Sequence, residues 1–349
     1  MMVTLANAFA ERGYTVDLVL ASATGPYLSE VSVAVNVVDL GRSRVITSLP
    51  RLVRYLIQRK PTALLSAMGH ANLVALLAKK LSGENTRVVV SEREDPSVRR
   101  GDLRNIRSSI IDFANRHFYA KADGIHAVSY GVGRAVARKF GLPVESVQVV
   151  YNPIDIKHIS RLADEKVTKR LMVDNECSLI VSAGRLSKQK DYSTLVKALS
   201  LVRQDIDACL VILGEGDMRG ELEQQISELG LEKHVMLPGF FENPFSVMKR
   251  ADLFVLSSLW EGLPNVLIQS MACGTPVVST DCPSGPSEIL ENGKWGRLIE
   301  VGDANALALA IIGTLNEEAH PDVVKRAGDF SIDKGVAGYL DLLLPDYLK

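Results

Sequence analysis

Apolar positions along this chain fall into two rhythms. Val3, Leu5, Ala6, Phe9 and Ala10 recur at helical spacing and Gly13 closes the segment, so the chain is expected to begin in a helix. Short aliphatic runs at 14–20 and 33–40 predict strands, and a helix is expected over 49–59. Further strand-like runs stand at 63–66, 87–91, 124–128 and 147–150, with helical segments between most of them. Such alternation predicts a parallel sheet covered on both faces. Asn152-Pro153-Ile154-Asp155 breaks the pattern, and a charged stretch over 157–170 leads into a second series. Its strands are expected at 179–183, 208–213, 235–237, 253–256, 277–280 and 297–299. The fold class is therefore α/β, with two doubly wound Rossmann-like domains, 1–155 and 156–335. A last helix over 336–349 is expected to pack back on the first.

Length supports this division, because 349 residues exceed one ordinary core. No run of about 18 uncharged apolar residues occurs, so no spanning helix is expected. Met1 leads into Val3-Thr4-Leu5-Ala6-Asn7 without a basic region, which argues against a signal peptide and for a cytoplasmic protein. Cys177, Cys209, Cys273 and Cys282 show neither C-x-x-C spacing nor partner histidines, so reduced thiols are expected.

Charge changes the picture through its distribution. Residues 1–155 carry 20 Lys+Arg against 13 Asp+Glu, while the remainder carries 20 against 28. Between Gly41 and Gly83 there is no acid, yet Arg42, Arg44, Arg51, Arg54, Arg59, Lys60, Lys79 and Lys80 are basic. A solvated helix face reads this way; so does a surface for anionic lipid or a phosphorylated acceptor, at the inner face of a membrane. Leu103, Ile106, Ile110, Ala114 and Phe118 form an apolar stripe beside Arg99, Arg100, Arg104 and Arg107, which serves core packing or membrane docking. No nucleic-acid reader motif accompanies the charge, so no nucleic acid partner is expected.

Candidate chemistry gathers where strands of the second series end. The run at 179–183 leads into Gly184-Arg185-Leu186-Ser187-Lys188-Gln189-Lys190-Asp191. Arg185 and Lys190 there can hold a diphosphate without metal, one as a planar fork and one as a point charge. Gly214-Glu215-Gly216 also follows a strand, but the third glycine of a dinucleotide fingerprint would fall on Arg219 and no ribose-binding acid follows. Its small residues suit close backbone approach to a ligand instead. After 253–256 comes Glu261-Gly262-Leu263-Pro264-Asn265 and a helix: a carboxylate for hydroxyls beside free amides for phosphate. Asp205-Ile206-Asp207 looks like a metal motif but lies in a turn before a strand, away from the ligand edge, so no metal is expected.

The stretch from Leu253 to Leu290 resembles the C-terminal signature of glycosyltransferase family 4, retaining sugar transferases of the GT-B fold, in which two such domains face a central cleft. The signature has two glutamates eight positions apart, the first followed by Gly-x-Pro. Here the first is Glu261, and Gln269 stands at the second. The resemblance implies that Glu261 is catalytic, contacting donor-sugar hydroxyls and stabilising positive charge at the anomeric carbon. It carries Arg185 and Lys190 over as donor-phosphate ligands, Gly214 as part of the donor loop, and Gly239 and Phe240 as the base-binding turn. Gly262, Leu263, Pro264 and Asn265 would offer amides to sugar and phosphate. Gln269 would bind the ribose diol without charge assistance. His70, following the run at 63–66, either lines the acceptor side or is an ordinary loop histidine; family members often carry a histidine near Ser91–Pro96, where this chain has none, and Glu92 and Arg93 there are the acceptor-side candidates.

Similar chains carry a strand and a Gly-rich turn upstream of Val3-Thr4-Leu5, so either the start codon is misassigned, the favoured expectation, or the chain is a truncated product. The function implied is transfer of a sugar from a nucleoside-diphosphate sugar, with uridine favoured, to a saccharide or lipid-linked saccharide in glycan assembly. No cofactor is implied. Two rivals share the architecture: a nucleotide-sugar epimerase, and an inactive sugar-nucleotide-binding or scaffold protein suggested by Gln269.

Overall fold

The computed structural model describes residues 1–96, 116–167 and 177–345. The stripe residues Leu103, Ile106, Ile110 and Ala114, the neighbouring Arg99, Arg100, Arg104 and Arg107, and the end of the charged stretch at 168–170 lie outside them. The chain divides into two units, Met1–Pro153 with Ile332–Lys349, and Ile154–Ser331.

In the first unit β1 (Val16–Leu20) pairs in parallel with β2 (Val35–Asp39). A second parallel sheet runs β3 (Ala63–Ala67), β4 (Arg87–Glu92), β5 (Gly124–Ala127) and β6 (Val147–Val149), in that order. Val88, Val89 and Val90 of β4 are fully buried, as a strand covered on both faces must be. Helices α1 (Met2–Glu11), α2 (Leu49–Arg59), α3 (Gly69–Ser82) and α4 (Tyr130–Phe140) alternate with these strands. Helix α4 is bounded by its sequence: Ser129 accepts from the Val132 amide, and Gly141 closes it in the left-handed region. The C-terminal helix Ile332–Leu343 belongs to this unit, where Val336 and Tyr339 bury against Leu5 and Ala8 of α1.

Part of the core here is polar. Asn72 and Tyr119 both donate to the Glu92 carboxylate, which is only 1% exposed. Ser91 and the Val150 carbonyl bracket the buried His126 ring, 2.8 Å from Nδ1 and 2.9 Å from Nε2. Of the basic run between Gly41 and Gly83, Arg59, Lys60 and Lys79 are paired with Asp17, Glu84 and Asp123. That part of the run is a salt-bridged helix surface. Ile57 and Leu81 stay exposed beside it.

The second unit holds one six-stranded parallel sheet. Its strands are β7 (Ser178–Ala183), β8 (Ala208–Leu213), β9 (Val235–Gly239), β10 (Leu253–Leu256), β11 (Val277–Thr280) and β12 (Arg297–Ile299). Their spatial order is β12-β11-β10-β7-β8-β9, so the winding reverses between β7 and β10. Among the described residues, helices α5 (Ile156–Ala163), α6 (Tyr192–Val202), α7 (Arg219–Glu228), α8 (Pro244–Met248), α9 (Asn265–Ala272), α10 (Pro286–Ile289), α11 (Ala304–Leu315) and α12 (Val323–Ala327) accompany the sheet. Leu195, Leu199, Leu210, Val255 and Ile311 join one continuous core. Among the described residues no helix is long and apolar enough to cross a membrane.

One expectation is overturned. Cys177 and Cys209 form a disulfide, with Cα atoms 6.0 Å apart. The parallel register sets Leu179 opposite Cys209 and so brings the residue just before β7 within reach. Cys273 and Cys282 are free. Because the bridge closes a separation of 32 residues, reduction is expected to lower unfolding free energy by about 4 kcal/mol. Urea titrations with and without reductant test this, and Cys177→Ser should reproduce the loss.

Candidate functional site

Parallel sheets bind ligands outside the carboxyl ends of their strands, at the point where strand order reverses. In the second unit that point lies between β7 and β10. The loop leaving β7 carries Arg185 and Lys190, and the loop leaving β10 carries Glu261. Lys190 Nζ lies 2.5 Å from Glu261 Oε1, although 71 residues separate them. Both side chains are largely withdrawn from water, at 16% and 8% exposure. A pair so placed is held by geometry, since each charge relies on the other for solvation.

Five further hydrogen bonds hold the two loops that carry the pair. Ser258 Oγ donates to the same Glu261 oxygen at 2.7 Å, and Ser257 Oγ donates to the Lys190 carbonyl at 2.7 Å. The Leu259 amide donates to the Gln189 carbonyl, and Gln189 Nε2 returns a bond to the Trp260 carbonyl. From β11, Thr280 Oγ1 anchors the Ser258 carbonyl at 2.6 Å. The two loops thus behave as one body. Sequence reasoning missed Ser257 and Ser258. Their signal was available: two adjacent serines ending an apolar strand, three and four residues before a candidate acid.

The neighbouring loops are joined edge to edge. The Gly184 amide donates to the Leu213 carbonyl, and the Gly214 amide to the Gly239 carbonyl, both at 2.9 Å. A Cβ on Gly214 would stand 2.0 Å from the Gly184 carbonyl oxygen, so only glycine permits this crossing. Gly214→Ala is therefore expected to destabilise the protein by at least about 2 kcal/mol, with a lowered Tm in thermal denaturation. Arg185 stands at the rim, 70% exposed, and pairs with Asp217 at 2.7 Å. Its guanidinium holds the Asp217 carboxyl below the usual range. Phe240, following Gly239, is 81% exposed and so does not pack in the core.

Beyond Glu261, Gly262, Leu263 and Pro264 are buried, and Asn265 opens α9. Gln269 lies one turn into that helix and is half-buried. The Leu267 amide is taken by the Pro264 carbonyl at 3.0 Å, and the positive dipole end of α9 favours an anion beside it. Cys282, also buried, has its thiol pushed up to about 12 by burial and by the Glu261 charge, so it stays protonated. Asp207 of the D-x-D motif is spent on Arg203 at 2.7 Å. Arg185, Lys190, Gly214, Gly239, Phe240 and Glu261–Asn265 thus share the carboxyl-end edge of the second unit's sheet.

His70, Glu92 and Arg93 belong to the first unit. His70 is exposed near the start of α3. Arg93 donates to Asn152 Oδ1. Glu92 departs from its expected place on a binding surface: enclosed by Asn72 and Tyr119, its carboxylate is a framework group of the core.

Residues 1–158 match the family described as Glycosyltransferase Family 4, and residues 164–329 match Glycosyl transferases group 1. The N-acetylgalactosamine-N,N'-diacetylbacillosaminyl-diphospho-undecaprenol 4-alpha-N-acetylgalactosaminyltransferase of Campylobacter jejuni is 35% identical over 241 residues, covering 69% of this chain. That match spans 63% of the relative's own length, somewhat under two thirds. The N-acetyl-alpha-D-glucosaminyl L-malate synthase of Bacillus anthracis is 27% identical over 262 residues, 75% of this chain and 67% of the relative. Among solved structures, Anabaena HepE in complex with UDP superposes with a TM-score of 0.78 at 20% identity, covering 99% of this chain and 94% of that one. At that identity the likeness establishes the fold.

Proposed function

Because this chain belongs to glycosyltransferase family 4 and has the GT-B fold, we propose that it transfers a sugar from a uridine-diphosphate sugar to a saccharide or lipid-linked saccharide hydroxyl, with retention. The observation that carries this reading is the Lys190–Glu261 pair at the reversal of strand order, with Arg185 at its rim and the start of α9 beside it. Cations and helix-start amides suit the diphosphate, while a fixed carboxylate suits sugar hydroxyls. HepE was solved with UDP, and the Campylobacter relative is named for action on a diphospho-undecaprenol acceptor.

In the proposed reaction Lys190 turns from Glu261 to the donor diphosphate, and Arg185 turns from Asp217 to the same group. Glu261 then faces the sugar. As the anomeric C–O bond breaks, positive charge grows on the sugar and negative charge on the leaving phosphate. Glu261 stabilises the first; Lys190, Arg185 and the α9 amides stabilise the second. The acceptor hydroxyl attacks from the face the phosphate leaves, and a phosphate oxygen takes its proton. With these two side-chain cations on the diphosphate, the proposed reaction needs no metal. An acceptor held at a membrane would meet the basic, partly apolar surface of the first unit around Arg54, Ile57, Lys80 and Leu81.

The test incubates UDP-sugars with a lipid-linked oligosaccharide in EDTA, following UDP release and the product's anomeric proton signals. Acceptor-dependent release with an α-linked product from an α-linked donor is expected. An epimer formed from donor alone, or UDP binding without any turnover, would replace this reading.

A further inference from the structure

The second unit has a cavity at the opposite end of its sheet from the Lys190–Glu261 pair. It holds about 250 Å³ and opens where β11 and β12 begin, beside Val277 and Arg297. Trp295, Arg297, Thr314, Glu317, His320 and Pro321 are among its lining residues. Arg297 Nη2 donates to Glu317 Oε1 at 2.5 Å, and His320 Nδ1 lies 3.1 Å from Glu317 Oε2. The three polar side chains are between 30% and 47% exposed, so the array is fixed yet accessible.

Two glycines hold this arrangement in place. A Cβ on Gly313 of α11 would lie 3.2 Å from the Arg297 guanidinium carbon, which therefore rests flat against the helix. A Cβ on Gly296 would meet the Val277 carbonyl oxygen at 2.5 Å, so glycine there lets β12 approach β11. Lys294 Nζ sits 4.9 Å from the Trp295 ring centroid and braces the indole.

The lining decides the class of ligand. A free phosphate would be repelled by Glu317. A hydrocarbon would strip water from Arg297, Glu317 and His320 without replacing its hydrogen bonds. What fits is a molecule with hydroxyls that both donate and accept, and with an apolar face to lie on an indole. We propose that this cavity is a saccharide-binding site separate from the nucleotide edge, which takes one sugar ring of a larger glycan. It stands independently of the transfer reaction proposed above.

The protein has two tryptophans, Trp260 beside Glu261 and Trp295 in the cavity, so indole N–H signals in 15N NMR report the two places separately. Trp260→Phe and Trp295→Phe assign them. Titration with lactose, N-acetylglucosamine and maltose is expected to shift the Trp295 signal saturably, with a Kd of about 1–10 mM for the best of them. Glu317→Gln and His320→Ala should each weaken that binding roughly tenfold while the spectrum stays dispersed. UDP should move Trp260 and leave Trp295 in place. The proposal is overturned if no sugar moves Trp295, if inorganic phosphate moves it instead, or if both variants bind sugar as tightly as the original protein. Failure of UDP to move Trp260 would bear on the transfer reaction alone.

Discussion

Glu261→Gln is expected to lower turnover roughly 10²–10³-fold while changing UDP affinity little. The amide keeps the shape of the carboxylate and can still accept from Ser258. It cannot offset positive charge on the sugar, an interaction that grows only as the bond breaks, so kcat should fall far more than KM changes. Lys190→Ala should behave differently. It leaves the Glu261 carboxylate, 8% exposed, without its counter-charge, at a stability cost of about 3 kcal/mol. It also removes a proposed diphosphate ligand, so UDP affinity should drop with turnover. Urea unfolding, UDP titration calorimetry and steady-state rates on both variants distinguish these patterns. Unchanged kcat in Glu261→Gln would sink the role given to this carboxylate.

The strands of the second unit were legible because a strand buried on both faces reads as an unbroken apolar run. The runs at 208–213, 253–256, 277–280 and 297–299 coincide with β8, β10, β11 and β12. Their spatial order was not legible. Nothing in the local pattern says that β10 lies against β7, yet that adjacency joins Lys190 to Glu261. The same limit hid the Arg185–Asp217 pair, the Cys177–Cys209 bridge and the Arg297–Glu317 array, each made by residues 20 or more positions apart. Glu92 shows the converse error. An acid at the end of a strand reads as a ligand group, but Asn72 and Tyr119 reach it from distant segments and seal it in. Charge identity is local, whereas burial is a property of the assembled fold.

Mild acid is expected to destabilise the protein through His126. The ring is fully buried, and burial, aided by the nearby Arg93 charge, pushes its pKa down to about 3 from an ordinary 6.5. The Val150 carbonyl can only accept, so Nε2 carries the proton and Nδ1 takes the Ser91 hydroxyl, leaving the imidazole neutral. The sign follows from which state binds protons. As pH falls below 6.5 the unfolded chain protonates this histidine and the folded chain does not, so the equilibrium shifts towards unfolding. Its contribution is complete above that value and declines by roughly 1.4 kcal/mol per pH unit below it, about 2.7 kcal/mol by about pH 4.5. The carboxylate Asp17, whose pKa is lowered by Asn36, Arg59 and Tyr55 against its partial burial, adds its own loss only at more acidic pH. Between about pH 6.5 and 4.5 His234, whose pKa is lowered by partial burial and by the Arg203 charge, adds to the same loss, so a variant is needed to isolate His126. In His126→Gln, which keeps a donor and an acceptor but does not titrate, urea-derived stability should fall much less across that window. Equal slopes in the two proteins would mean that folded His126 takes up this proton as readily as the unfolded chain does, and would overturn the prediction.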